Sequence, residues 1–139
     1  MRMLWLLAFV ASPALAWDFR SDPLCTIEGG TQALSVTVTF DPASGLYRID
    51  LDRADGWPES AVFALVFEGA GGLTITTNRH VVDGTTLSVT DTGFGNVLRG
   101  LEAGATALAV TGDLAAPFAL DGADDAVAKF RACSAGAIA

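Results

Sequence analysis

In residues 33–40 (ALSVTVTF) apolar and polar side chains alternate without a break, with Leu34, Val36, Val38 and Phe40 on one side and Ser35, Thr37 and Thr39 on the other. A period of two marks a strand with one face buried and one in water. Residues 46–52 repeat the pattern, with Tyr47, Ile49 and Leu51 opposed to Arg48, Asp50 and Asp52. Asp41-Pro42-Ala43-Ser44-Gly45 supplies turn chemistry between them, so the two runs predict a hairpin. Residues 61–67 (AVFALVF) are apolar throughout, which predicts a strand covered on both faces. Residues 73–77 alternate again, with Leu73 and Ile75 inward. Residues 79–82 and 85–90 flank Asp83-Gly84, a two-residue hairpin signal. A short edge strand over 24–28 carries Cys25 and stops at Gly29-Gly30. Residues 105–111 and 116–120 read as a last strand pair.

Two segments have helical spacing. Residues 96–102 (NVLRGLE) predict one or two turns with Val97, Leu98 and Leu101 on one side, ended by Gly104. Residues 121–133 are the clearer helix. Asp124 and Asp125 sit in its first turn and Lys129 and Arg131 in its last, matching the helix dipole. Ala126, Val127, Phe130 and Cys133 share one stripe. Residues 17–23 read as an irregular lead and 134–139 as a flexible tail of small residues. The sum is mainly β: an antiparallel β-sandwich or open barrel of about seven to nine short strands with one C-terminal helix.

The N-terminus changes the compartment. Arg2, the apolar run 3–11 (MLWLLAFVA), the break at Ser12-Pro13 and the small-residue site Ala14-Leu15-Ala16 have the three parts of a secretory signal peptide. The apolar run is about half of the ~20 residues a membrane span needs. The sequence therefore predicts a signal peptide over 1–16, one β-domain over 17–133 and a periplasmic or secreted protein with no stable membrane insertion after cleavage. Without Arg2, seven basic residues face sixteen acidic ones. That balance and the lack of a basic cluster exclude a nucleic-acid partner.

Two cysteines in an exported chain predict a disulfide, Cys25 to Cys133, closing a loop of roughly 108 residues. A redox pair usually stands close in sequence, as in C-x-x-C. A zinc site needs about four ligands, more than one histidine and two cysteines provide. The sequence thus predicts no metal and no cofactor.

Catalytic strings are few. Asp91-Thr92-Gly93 matches the D-T-G of aspartic proteases, in which two aspartates share a proton, so one chain would supply one aspartate to a dimer. Thr90 stands where that family has an apolar residue, and Val97-Leu98-Arg99-Gly100 lies too near to be its downstream apolar-apolar-Gly segment. The bland alternative is a strand-ending turn. His80 is the single histidine; a serine triad would need it with Asp83 and one of Ser35, Ser60 or Ser88, yet no G-x-S-x-G elbow exists. Asp50, Asp52 and Asp55-Gly56 hint at a calcium loop, but Ala54 takes the fifth position and Ala61 the twelfth. Gly69-Ala70-Gly71-Gly72 lacks the Lys-Ser/Thr of a P-loop. Trp17, Trp57 and Phe94, aromatics in expected loops, are candidate contact residues.

The last third also has a familiar order. Gly95-Asn96-Val97-Leu98-Arg99-Gly100-Leu101-Glu102-Ala103-Gly104, a strand, Phe118-Ala119-Leu120-Asp121-Gly122 and a helix ending Phe130-Arg131-Ala132-Cys133 resemble small exported alphaproteobacterial proteins. They are similar to the invasion-associated locus B type of periplasmic β-protein. The resemblance spans roughly residues 95–133 and implies no catalytic residues. Look-alikes of this kind sometimes carry the label of an excinuclease. That label would imply a nucleic-acid enzyme, which a short acidic chain with an export signal and no P-loop contradicts.

The function expected first is a non-enzymatic domain that binds a protein or envelope component. Two alternatives stand beside it: a dimeric aspartic hydrolase using Asp91, and a carrier of a small apolar ligand held between Phe63, Phe67 and Phe130.

Overall fold

A computed structural model describes residues 15–69 and 72–138; the expected signal peptide lies outside them except for its last two residues. In chain order the strands are β1 (Leu15–Arg20), β2 (Cys25–Gly30), β3 (Leu34–Asp41), β4 (Leu46–Arg53), β5 (Phe63–Gly69), β6 (Leu73–Thr77), β7 (Val81–Asp83) and β8 (Thr86–Asp91). Helix α1 (Gly95–Ala103), strands β9 (Gly104–Thr111) and β10 (Leu114–Ala119), and helix α2 (Ala123–Ile138) follow. The strands form two antiparallel sheets, ordered β1-β2-β3-β4-β8-β7 and β10-β9-β5-β6, and no barrel closes. The architecture is the expected β-sandwich, with ten strands among the described residues where the sequence predicts seven to nine.

Register explains the sequence pattern. Across the larger sheet, Ile27 pairs with Val38, Val38 with Ile49 and Ile49 with Val89. One step along, Val36 pairs with Leu51 and Leu51 with Leu87. All but Val89 are buried, and they meet Phe63, Leu65, Phe67, Ala107, Ala109 and Phe118 of the smaller sheet in one core. The opposite face of the larger sheet is polar: the Asp50 carboxylate accepts from Arg48 Nε at 2.7 Å and Ser88 Oγ at 2.6 Å. Asp52 accepts from the Thr85 hydroxyl at 2.5 Å. Asp50 and Asp52 of the calcium hint are thus partnered on the sheet's solvent face, Asp55 lies in the turn beyond β4, and no three potential metal ligands converge among the described residues.

The lead expected to be irregular is strand β1, paired with β2 from Asp18↔Glu28 to Arg20↔Thr26. Trp17 makes the difference. It is buried, its ring lies on Gly29, and Nε1 donates to the Ala119 carbonyl of β10 at 3.0 Å. It therefore ties the edge of one sheet to the edge of the other.

The expected tail is a second correction. Residues 134–138 continue α2, because the buried stripe Ala123, Ala126, Val127 and Phe130 runs on to Ser134 at helical spacing. Alanine there also favours helix. The Cys25–Cys133 disulfide is present, with Cα atoms 5.9 Å apart, and fixes the helix to the first residue of β2. Such a bond fits an oxidising compartment. No helix among the described residues is long and apolar enough to cross a membrane.

A third difference concerns β5. Phe63, Leu65 and Phe67 are buried inward, but Ala64 and Val66 lie half-exposed on the outer face, so the continuous apolar run is covered on one side only by the described residues.

Candidate functional site

The two edges of the sandwich differ. At the β1/β10 edge Trp17 closes the gap. At the other edge β6 and β8 face each other across an open cleft of about 450 Å³. Ile49 and Val89 form its floor on one sheet; Phe63, Leu65 and Ile75 form the facing wall. The first turn of α1 closes one end, with Phe94, Gly95, Asn96 and Val97 on the lining. Its volume lies within the ~300–1,000 Å³ of ordinary ligand pockets.

The local reasons for the gap are legible. β7 pairs with β8 only from Val81↔Ser88 to Asp83↔Thr86, so Val89–Asp91 have β4 on one flank and, among the described residues, no strand on the other. β6 is the last strand of its sheet, and its inward side chains Leu73, Ile75 and Thr77 stay half-exposed. Helix α1 fills the neighbouring space with Val97, Leu98 and Leu101, which are buried.

Asp91 lies on the cleft and is the single ionisable group of its lining among the described residues. Its Oδ1 accepts from the Thr92 backbone N–H at 2.6 Å. The D-T-G string therefore ends strand β8 in a self-bonded turn, and a shared-proton pair would need a second copy of the chain. Asn96 reaches the same lining, its side-chain oxygen bonded to Arg99.

The triad candidates do not assemble. His80 Nε2 donates to the carbonyl of Ser60 at 2.9 Å, not to its hydroxyl, which bonds the Val62 carbonyl at 2.8 Å. Ser88 is held by Asp50, and Ser35 pairs with Asp52 across β3 and β4. His80 is half-buried: its ring packs 6.0 Å from that of Phe63, and Nδ1 is buried with no partner among the described residues.

The aromatic candidates separate. Trp17 and Phe94 are core residues, 6% and 4% exposed; Trp17 offers no contact surface, and Phe94 reaches one only through the cleft lining. Phe94 stacks 5.6 Å from Tyr47, which also meets Phe40 and Phe130 and so joins the sheet to both helices. Trp57 is half-buried and donates Nε1 to the carbonyls of Leu51 and Thr85. Of the expected carrier residues, Phe63 lines the cleft, whereas Phe67 and Phe130 are sealed in the core. Sequence pattern alone missed Ile49, Leu65, Ile75, Val89 and Asn96. Ile75 had a usable signal: it alternates with threonines, as on a strand with one wet face.

No protein-family model matches this chain, and no curated protein and no solved structure matches it.

Proposed function

We propose that the protein is a non-enzymatic, exported binding domain that takes an apolar group of its partner between the two sheets. The carrying observation is the cleft of about 450 Å³ lined from both sheets by Ile49, Phe63, Leu65, Ile75 and Val89. The reading joins the binding domain expected first with the carrier alternative, and moves the apolar site from Phe67 and Phe130 to the β6/β8 edge. The Cys25–Cys133 disulfide and the leader-like residues 1–16 support a periplasmic or secreted setting.

Burial of apolar surface is the driving force, at roughly 25 cal/mol per Å² removed from water. The test is titration with N-phenyl-1-naphthylamine, a neutral probe that brightens in apolar surroundings. Saturable brightening in the wild type, lost in Ile75→Arg, is expected. Ile75 is half-exposed on an edge strand, so an arginine there can keep its charge in water. No brightening with the wild type, or the same brightening with Ile75→Arg, would remove the cleft reading.

A further inference from the structure

The free edges of this sandwich are not equally protected. An edge strand presents unpaired backbone N–H and C=O groups, and folded proteins blunt such edges with charges, proline, bulges or shortness. β1 carries Asp18 and Arg20 and a register shift before Asp18. β10 carries Pro117. β7 is three residues long. β6, Leu73-Thr74-Ile75-Thr76-Thr77, has no charge, no proline and an unbroken register against β5 from Phe63↔Thr77 to Phe67↔Leu73. It is also the edge strand whose inward side chains border the cleft, through Ile75 and Thr77.

We propose that β6 is a strand-addition site: an extended peptide segment of a partner protein pairs along its free edge and lays alternate side chains into the cleft. The inference rests on the cleft reading and names its ligand class. Main-chain hydrogen bonds to β6 would supply affinity, and the apolar lining would select the side chains that alternate inward. A segment one strand beyond β6 stands about 4.8 Å further out. Its inward side chains then face Val89, which among the described residues lacks a neighbouring strand on that flank. The favoured segment has β-branched residues at every second position. It carries lysines rather than carboxylates, because the chain has a formal net charge of −8.

The probe is the peptide acetyl-Lys-Thr-Val-Thr-Val-Thr-Lys-amide, titrated into the ¹⁵N-labelled protein with its disulfide intact. Two modified forms accompany it, one N-methylated on both valines, the other on the threonines flanking them. In a strand, alternate N–H groups point to opposite edges, so each form disables one edge. Saturable shifts at Leu73 to Thr77 and at Val89 are expected. One methylated form should bind at least tenfold more weakly while the other binds as the parent does.

Equal loss or equal retention in the two forms would overturn strand addition and leave the cleft as an apolar pocket. So would binding of N-phenyl-1-naphthylamine without binding of the peptide. Failure of both probes would remove the cleft reading itself. Shifts at the same amides that follow the concentration of the free protein would assign the edge to a second copy, and overturn the peptide partner.

Discussion

The ring of Phe67 lies directly on the backbone of Gly100, so that a Cβ at Gly100 would clash with the ring carbons. Strand β5 and helix α1 can approach this closely because position 100 has no side chain. Helix α1 thereby reaches the space between the sheets, and its first turn becomes the end wall of the cleft.

Gly100→Ala tests that contact. Alanine improves helix propensity by about 1 kcal/mol, but overpacking a filled core costs ~1–3 kcal/mol. The net expectation is a destabilisation of up to about 2 kcal/mol in urea unfolding. Gly95→Ala in the same helix meets nothing within 4 Å and should be neutral or stabilising. Equal behaviour of the two variants would contradict the Phe67 contact.

Reduction of Cys25–Cys133 should lower stability while leaving the protein soluble. The bond joins residues 108 apart in sequence, and the chain-entropy model assigns such a loop up to ~4.7 kcal/mol. A fall in Tm of about 10 °C on adding reductant is expected for a domain of this size. An unchanged Tm would mean that the packing of Phe130 and Val127 holds α2 without the clip.

Thr111 is fully buried, and its hydroxyl has no partner among the described residues. A buried hydroxyl without a hydrogen bond costs ~1–3 kcal/mol. Thr111→Val keeps the shape and removes the hydroxyl, so it should be neutral or up to about 1 kcal/mol more stable. Destabilisation beyond 1 kcal/mol in urea would show that the hydroxyl holds a bound water.

Trp17→Phe removes the hydrogen bond to the Ala119 carbonyl while keeping an aromatic ring on Gly29. The lost bond should cost ~1–2 kcal/mol, including the carbonyl left without its partner. Amide exchange is expected to speed up in β1 and β10 and to stay unchanged around the β6/β8 cleft. Acceleration throughout the molecule would mean that the two edges do not act independently.

Much of this fold is written in local pattern. The alternation of Leu34 to Phe40 and of Tyr47 to Leu51 determined two strands and their inner faces, because a period of two leaves one choice of face once a core forms. The stripe Ala126, Val127, Phe130 determined the buried side of α2, and the two cysteines determined the clip. Other features depend on partners far away in sequence, and only the tertiary structure decided them. Trp17 reads as a loop aromatic until Gly29 and Ala119, 12 and 102 residues away, give it a flat seat and an acceptor. Val66 reads as part of a run covered on both faces until the smaller sheet leaves its outer face only half-buried. The cleft follows from β7 ending its pairing at Ser88 and from β6 lying last in its sheet. Strand order and strand ends are settled by long-range pairing, and no local period encodes them.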